Sequence, residues 1–319
     1  SGMGAITPVI MQLCNAGDEI VSSRTIYGGT YAFMKNMLPN WNIKTHFVDI
    51  TKPKLVEKAI NKNTKILYCE TVSNPLLEVA DIGLLANIAK KHNLKLVVDN
   101  TFSPLTVAPA KLGADVVIHS LTKFINGSSD TVGGVVCASQ DFINDLKNVN
   151  NGAMMLFGAT MDSLRSASIL KNLRTLHIRM KQHSYNAMYL AEKFENDGLK
   201  VVYPGLKSHP SHDVITKMMN KEYGYGGMMT LDVGNLDKAN ELMEMMQQEN
   251  LGYLAVSLGF YKTLFSCSGS STSSEIPEEE RISMGLSDGL IRFSIGLDHD
   301  IERTYQKMKA CMVKVGILM

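Results

Sequence analysis

Lys123 is the residue on which chemistry can be built in this chain. It closes the run Ala114-Asp115-Val116-Val117-Ile118-His119-Ser120-Leu121-Thr122-Lys123, whose centre from Val116 to Ile118 is β-branched and apolar, as a strand buried on both faces should be. Such a strand delivers Lys123 to its C-terminal edge, where open parallel sheets bind ligands, and a lysine among apolar neighbours sheds charge and becomes an amine nucleophile. The competing reading is a surface lysine after a strand. Two other features bear on the choice. Asp99 ends the run Val97-Val98-Asp99, and the turn Gly2-Met3-Gly4-Ala5 leads into a helix start whose free N–H groups can hold a phosphate. A pyridine cofactor carrying an aldehyde needs an amine to hold it, an acid to keep its ring nitrogen protonated and a cradle for its phosphate. Lys123, Asp99 and the Gly2 turn with Ser120 and Thr122 meet those three needs together, although Asp99 alone also reads as a strand-terminating turn residue.

The elements that must position these groups follow from the hydrophobic pattern. Strands are expected at Glu19–Ser22, Lys44–Val48, Lys65–Glu70, Lys95–Asn100, the Val116 run and Gly133–Cys137, with helices at Pro53–Asn61 and Ile82–His92. Thr7 reads as an N-cap with Pro8 at the first helical position, and Tyr27-Gly28-Gly29-Thr30-Tyr31 as a flexible loop. Alternation of strands with helices implies a mostly parallel, doubly wound α/β sheet whose functional edge gathers Asn74, Asp99, Ser120, Thr122 and Lys123. A long amphipathic stretch from Asp162 to Asp197 joins this part, residues 1–174, to a smaller α+β domain, residues 175–319. In that domain strands are expected at Gly227–Val233, Leu254–Ser257 and Leu290–Ile295, and helices at Leu236–Glu249 and Ile301–Val315. The small-residue run Ser266 to Ser274 reads as a mobile loop.

At 319 residues, the chain can bury two cores, and a net charge of +1 gives no reason to expect nucleic acid or an acidic membrane as partner. Cys14, Cys69, Cys137, Cys267 and Cys311 are odd in number and far apart, which argues against a disulfide framework or a zinc site and for a reducing, cytoplasmic setting. No apolar run reaches the length of a membrane span, and the N-terminus has no secretory pattern. The 20 methionines are scattered, as core fillers are.

Seven ordered motifs resemble a known family, the pyridoxal-phosphate enzymes of cysteine and methionine metabolism, which includes methionine γ-lyase, cystathionine lyases and synthases, and homoserine-ester sulfhydrylases. They are Ser1-Gly2-Met3-Gly4-Ala5, Tyr27-Gly28-Gly29-Thr30, Ser73-Asn74-Pro75, Val97-Val98-Asp99-Asn100-Thr101, Ser120-Leu121-Thr122-Lys123-Phe124, Val256-Ser257-Leu258-Gly259 and Leu290-Ile291-Arg292-Phe293-Ser294. The resemblance implies a fold-type-I pyridoxal-phosphate transferase fold, in which Lys123 carries the cofactor and shuttles protons and Asp99 pairs with the ring nitrogen. It further implies that Tyr27 stacks on the ring and passes a proton to the leaving group, and that Gly2, Met3, Ser120 and Thr122 bind the phosphate. Asn74 is implied near the ring hydroxyl, and Arg292 at the substrate carboxylate with Ser257 beside it. Homo-oligomers, built as dimers of dimers, are implied too.

Four departures qualify the resemblance. Gly127-Ser128-Ser129-Asp130 stands where the family has glycine followed by histidine or glutamine, and Leu121 replaces a small residue. Val256 occupies the position at which cystathionine-handling enzymes often carry a glutamate; an apolar side chain there suits a thioether better than a distal ammonium, so α,γ-elimination on methionine or homocysteine is the expected reaction. Gly29, however, stands where methionine γ-lyases usually have a cysteine. The competing readings are γ-replacement on an O-acylated homoserine, a cystathionine lyase, and a chain that binds cofactor or partner subunits without catalysis. The family's N-terminal segment, whose tyrosine and arginine reach the neighbouring subunit's cofactor phosphate, precedes the first motif and is not in this sequence. The expectation from that is weaker cofactor retention and weakened tetramer contacts.

Overall fold

The computed structural model describes residues 1–267 and 286–319. Strands β1 (Glu19–Ser23), β2 (Lys44–Val48), β3 (Thr64–Glu70), β4 (Lys95–Asp99), β5 (Val116–Ser120) and β6 (Gly134–Ala138) form one sheet in the order β2-β1-β3-β4-β5-β6. All neighbours are parallel except β5 and β6. The period of two sorts β3 between two cores: Ile66 and Tyr68 pack with Ile6, Val9 and Ile10 of the helix Met3–Leu13, while Leu67 and Cys69 pack with Leu85, Ile88 and Ala89 of the helix Ile82–Lys91. Burial on both faces is why β3 and β4 read as continuous apolar runs and not as alternating ones. The chain leaves β1 toward β2 and returns on the other side to β3, so the strand order reverses beside β1 and β3, the place where such sheets open a crevice for ligands.

A second sheet holds β7 (Lys200–Val202), β8 (Met228–Asp232), β9 (Tyr253–Leu254), β10 (Leu264–Cys267) and β11 (Leu290–Ser294) in the order β7-β8-β11-β10-β9, antiparallel except for β9 with β10. One face, with Met229, Leu231, Phe265, Ile291 and Phe293, closes a core with the helices Leu176–Asn196, Leu236–Gln248 and Ile301–Lys314. The alternate residues of β11, Arg292 and Ser294, are also buried but polar, and they face the other way. This is the mixed α/β arrangement expected of the fold.

Local expectations fail in four places. The first helix starts at Met3, not after Thr7: Pro8 lies inside it and the Thr7 hydroxyl donates back to Met3 O at 2.9 Å, because burying Ala5, Ile6, Val9 and Ile10 on one face needs the earlier turn. Tyr27–Tyr31 is not a loop; Tyr27 caps the short helix Gly28–Ala32, which continues as a π turn over Phe33–Met37. The stretch Asp162–Asp197 is two helices, Ser163–Leu173 and Leu176–Asn196, broken at Arg174-Thr175. The strand expected at Leu254–Ser257 ends at Leu254, leaving Val256 and Ser257 in a loop. Ser266 and Cys267 belong to β10, while the rest of the expected Ser266–Ser274 loop lies outside the described residues.

Candidate active site

The C-terminal ends of β3 and β4 place Glu70 and Asp99 side by side, β5 runs two residues further to Ser120, and beyond them opens a cavity of about 230 Å³. Gly2, Met3, Tyr27, Asn74, Asp99, Ser120, Thr122, Lys123 and Arg292, nine residues singled out in the sequence, line it together. Ser257, the tenth, reaches Lys123 directly: the lysine Nζ donates to its Oγ at 3.0 Å. Glycine makes that approach possible. Gly259 has φ +73°, and a Cβ there would stand 2.3 Å from Phe124 N, so the loop after Ser257 lies backbone to backbone on the lysine turn. The turn is held from its far side by Arg179 on the helix Leu176–Asn196, whose guanidinium donates to the carbonyls of Phe124 and Ile125.

Asp99 is tied on one side only. Its Oδ1 accepts from Thr101 N at 2.9 Å and from Thr101 Oγ1 at 2.5 Å, and Thr101 Oγ1 in turn accepts from Ser120 N at 2.9 Å. Among the described residues Oδ2 receives nothing, so it is available to a donor in the cavity. Burial pushes the Asp99 carboxyl up, with the Thr101 bonds pulling back, and pushes Glu70 up further because Asp99 adds its charge. The two buried carboxyls, side by side, oppose carrying two negative charges at once. Burial, with Arg292 as a lesser cause, pulls the Lys123 amine down to about 8.

Arg292 is 2% exposed, and burial lowers even its guanidinium to about 10. Nη1 donates to Asn74 Oδ1 at 2.9 Å; Nη2 donates to Ser257 O at 3.1 Å and Val256 O at 3.3 Å; Nε has no partner. No carboxylate pairs with it among the described residues. A buried guanidinium with no carboxylate among the described residues, beside a lysine whose pKa burial lowers, is an anion receptor next to a potential nucleophile.

A sequence model of the Cys/Met-metabolism pyridoxal-phosphate-dependent enzymes matches residues 1–309. The chain belongs to that family. It is therefore a pyridoxal-phosphate-dependent enzyme. It is 43% identical to methionine γ-lyase of Arabidopsis thaliana over 318 residues, which cover 99% of this chain and 72% of the relative. It is 39% identical to cystathionine γ-lyase of Bacillus subtilis over 302 residues, 93% of this chain and 77% of that one. The solved structure of cystathionine γ-lyase from Lactobacillus plantarum complexed with L-serine superposes with a TM-score of 0.91 at 29% identity, over 99% of this chain and 81% of that one.

The residues of this family member fit pyridoxal phosphate. A Cβ at Gly2 would stand 2.9 Å from Ser120 Cβ, so bare backbone and a hydroxyl form one wall, and the amides of Gly2 and Met3 open the helix Met3–Leu13 with no intrahelical acceptor. Thr122 fits less directly. Its Oγ1 accepts from Gly133 N at 3.1 Å and donates to Gly133 O at 3.3 Å, so a phosphate contact requires its proton to leave that carbonyl. The sequence reading passed over Glu70, which lines the cavity; the available signal was a carboxylate ending a buried strand in register with Asp99.

Proposed function

We propose that this chain is a carbon–sulfur lyase that performs α,γ-elimination on a methionine- or homocysteine-type amino acid, releasing a thiol, ammonia and a 2-oxo acid. The observation that carries the reading is Arg292, a buried guanidinium with no counter-charge among the described residues, opening into the same cavity as Lys123. It suits the α-carboxylate of an amino acid whose amino group must come to Lys123. In this reading Lys123 is the covalent attachment point of the cofactor, Asp99 Oδ2 accepts from the ring N–H, and Gly2, Met3, Ser120 and Thr122 hold the phosphate. Bound pyridoxal phosphate supplies the electron sink that lets the substrate α-carbon lose a proton. Lys123, freed as an amine, takes the α-proton, with the Ser257 hydroxyl 3.0 Å away to hold its Nζ in place. Tyr27, 48% exposed over the cavity, is placed to cover the ring and to give its phenolic proton to the departing thiolate. Val256 lines the cavity and is 63% exposed, so the distal part of the substrate meets an apolar side chain that solvates a thioether and leaves an ammonium unpaired.

One observation favours a second reading. Gly29 lies against Tyr27, where a Cβ would come within 2.6 Å of the ring, so the cysteine usual at this place in methionine γ-lyases does not fit without a shift of Tyr27. That keeps γ-replacement on an O-acylated homoserine, or a cystathionine lyase, as the rival. Purified protein with added cofactor, supplied in turn with methionine, homocysteine, cystathionine and O-acetylhomoserine, is expected to release thiol and 2-oxo acid from the first two. Consumption of added thiol with O-acetylhomoserine, and none released from methionine, would reverse the assignment. A chain with no imine-band absorbance and no borohydride-trapped cofactor would be a non-catalytic one.

The capture of cofactor by the apo-protein gives a pH test. Only the free amine attacks, and with Lys123 pulled down to about 8 its fraction rises through pH 8 and then levels, about two pH units below where an ordinary lysine would level. Stopped-flow absorbance between pH 6.5 and 9.5 checks this; a rate still climbing tenfold per unit above pH 9 would mean an unperturbed lysine.

We further infer a homo-oligomer and a cytoplasmic setting. Leu164, Leu170 and Ile178 on the two helices after residue 162, and Met155, Leu156 and Phe157 just before them, leave large apolar side chains exposed, as a subunit interface requires. All five cysteines are free, as in a reducing compartment, and no helix among the described residues is long and apolar enough to cross a membrane.

A further inference from the structure

Glu70 lines the cavity at the C-terminal end of β3, yet the chemistry above gives it no task. Its carboxyl is buried, and each oxygen is spent on the backbone of a different segment: Oε1 accepts from Tyr27 N at 2.7 Å and Oε2 from Asn74 N at 3.0 Å. Asn74 then accepts from Arg292 Nη1 through its own side chain at 2.9 Å. Tyr27 follows β1 and Asn74 follows β3; away from the cavity these two turns are also tied by Arg24 and Thr25 to Glu78, while Glu70 ties them at the cavity wall and is itself anchored in the middle of the sheet, paired in register with Asp99. We propose that Glu70 is a positioning residue that sets Tyr27 and, through Asn74, Arg292 at matched heights across the cavity.

The alternatives to a carboxyl explain why the group is there. A glutamine has one acceptor oxygen, so its NH2 would face one of the two N–H groups, and an alanine would leave both buried donors without an acceptor. A purely structural role would ask for the same two bonds anywhere in the sheet. Here both end on residues that line the cavity, and one continues to a guanidinium that has no carboxylate among the described residues. Burial and the neighbouring Asp99 push the Glu70 carboxyl up, and the two amide bonds pull it back, so the same pair of bonds that places Tyr27 and Asn74 also stabilises the carboxyl's two acceptor oxygens.

The inference rests on the reading of Lys123 and Arg292 given above, and the experiment separates the two. L-norleucine has the shape of methionine without a carbon–sulfur bond, so it binds without turnover. Calorimetry on cofactor-loaded Glu70→Gln is expected to show norleucine affinity down by about tenfold, and titration of the apo-protein a similar loss for pyridoxal phosphate, while borohydride still labels Lys123. In an Asn74→Ala background, Glu70→Gln should change norleucine affinity by less than about twofold and keep its effect on the cofactor, because the route to Arg292 is already cut while the route to Tyr27 is intact. Hydrogen exchange at the Tyr27 and Asn74 amides should rise in Glu70→Gln even without ligand. Unchanged norleucine affinity despite faster exchange, or an equal loss in both backgrounds, overturns the positioning role. A wild-type protein that binds no norleucine, or carries its cofactor elsewhere than Lys123, overturns the site reading itself and this inference with it.

Discussion

Lys123→Ala is expected to fold as the parent does, to carry no cofactor after borohydride reduction, and to lose turnover by at least about a thousandfold. The fold survives because Lys123 contributes one hydrogen bond, to Ser257 Oγ, and an amine whose ionisation burial already disfavours, so alanine removes a desolvated group and no core packing. Turnover falls by more than a missing attachment point would explain. A positioned acid–base group alone contributes about 10²–10⁴-fold, and the same amine both receives the cofactor and moves the substrate proton. The two losses can be separated, since a small primary amine added to the solution can form the covalent link but cannot be held beside the α-carbon. Peptide mapping of the reduced wild-type protein should place the cofactor on Lys123, and near-normal turnover in the variant would remove it from the centre of the site.

How much of this site was legible in the sequence depends on how local each residue's reason for being there is. Lys123, Asp99 and Ser120 stand at or just past the ends of strands whose apolar runs declare themselves; β2 matches its expected bounds, and β4 stops at Asp99, one residue before the expected Asn100. Arg292 and Ser257 come from β11 and from the loop after β9, more than a hundred residues from Lys123, and only the family motifs joined them to it. The strand expected through Ser257 shows the limit of pattern. Leu254-Ala255-Val256-Ser257 has strand-like residues, but the close backbone packing of Gly259 on Phe124 pulls the segment off the sheet edge. Tyr27–Tyr31 misled for a related reason. Two glycines and a threonine mark a loop by composition, yet the Tyr27 amide bond to Glu70 fixes a helix start there, a contact between residues 43 positions apart that no local signal carries. The same blindness hid Glu70, whose partners are all main-chain amides.

Arg292→Leu separates the cost of the site to folding from its worth in binding, and the two should move in opposite directions. Among the described residues the buried guanidinium has no carboxylate and its Nε no partner, and burial depresses its pKa to about 10, which are the marks of a charge that the fold tolerates at a cost. Leucine fills much of the same volume with apolar atoms. It leaves the Asn74 Oδ1, Val256 and Ser257 acceptors without this donor, but acceptors left short cost less than an unpaired buried charge. The thermal midpoint of the substrate-free variant is therefore expected to hold or rise. Substrate binding should collapse, because a carboxylate entering the cavity would lose a charge-assisted contact worth about 2–5 kcal/mol, a rise of well over tenfold in KM. Cofactor affinity should change far less, since of the groups proposed to hold it only Asn74 touches the guanidinium, while Lys123, Asp99 and the Gly2 wall do not bond to it. Arg292→Lys adds the geometric control: it keeps the charge and loses the planar fork that donates to Asn74 and Ser257 together, so it should recover only part of the affinity. An unchanged KM in the leucine variant would place the substrate carboxylate elsewhere. A lowered midpoint alongside intact binding would make Arg292 a structural clamp between β11 and the Asn74 turn, and the charge in the cavity would then need another purpose.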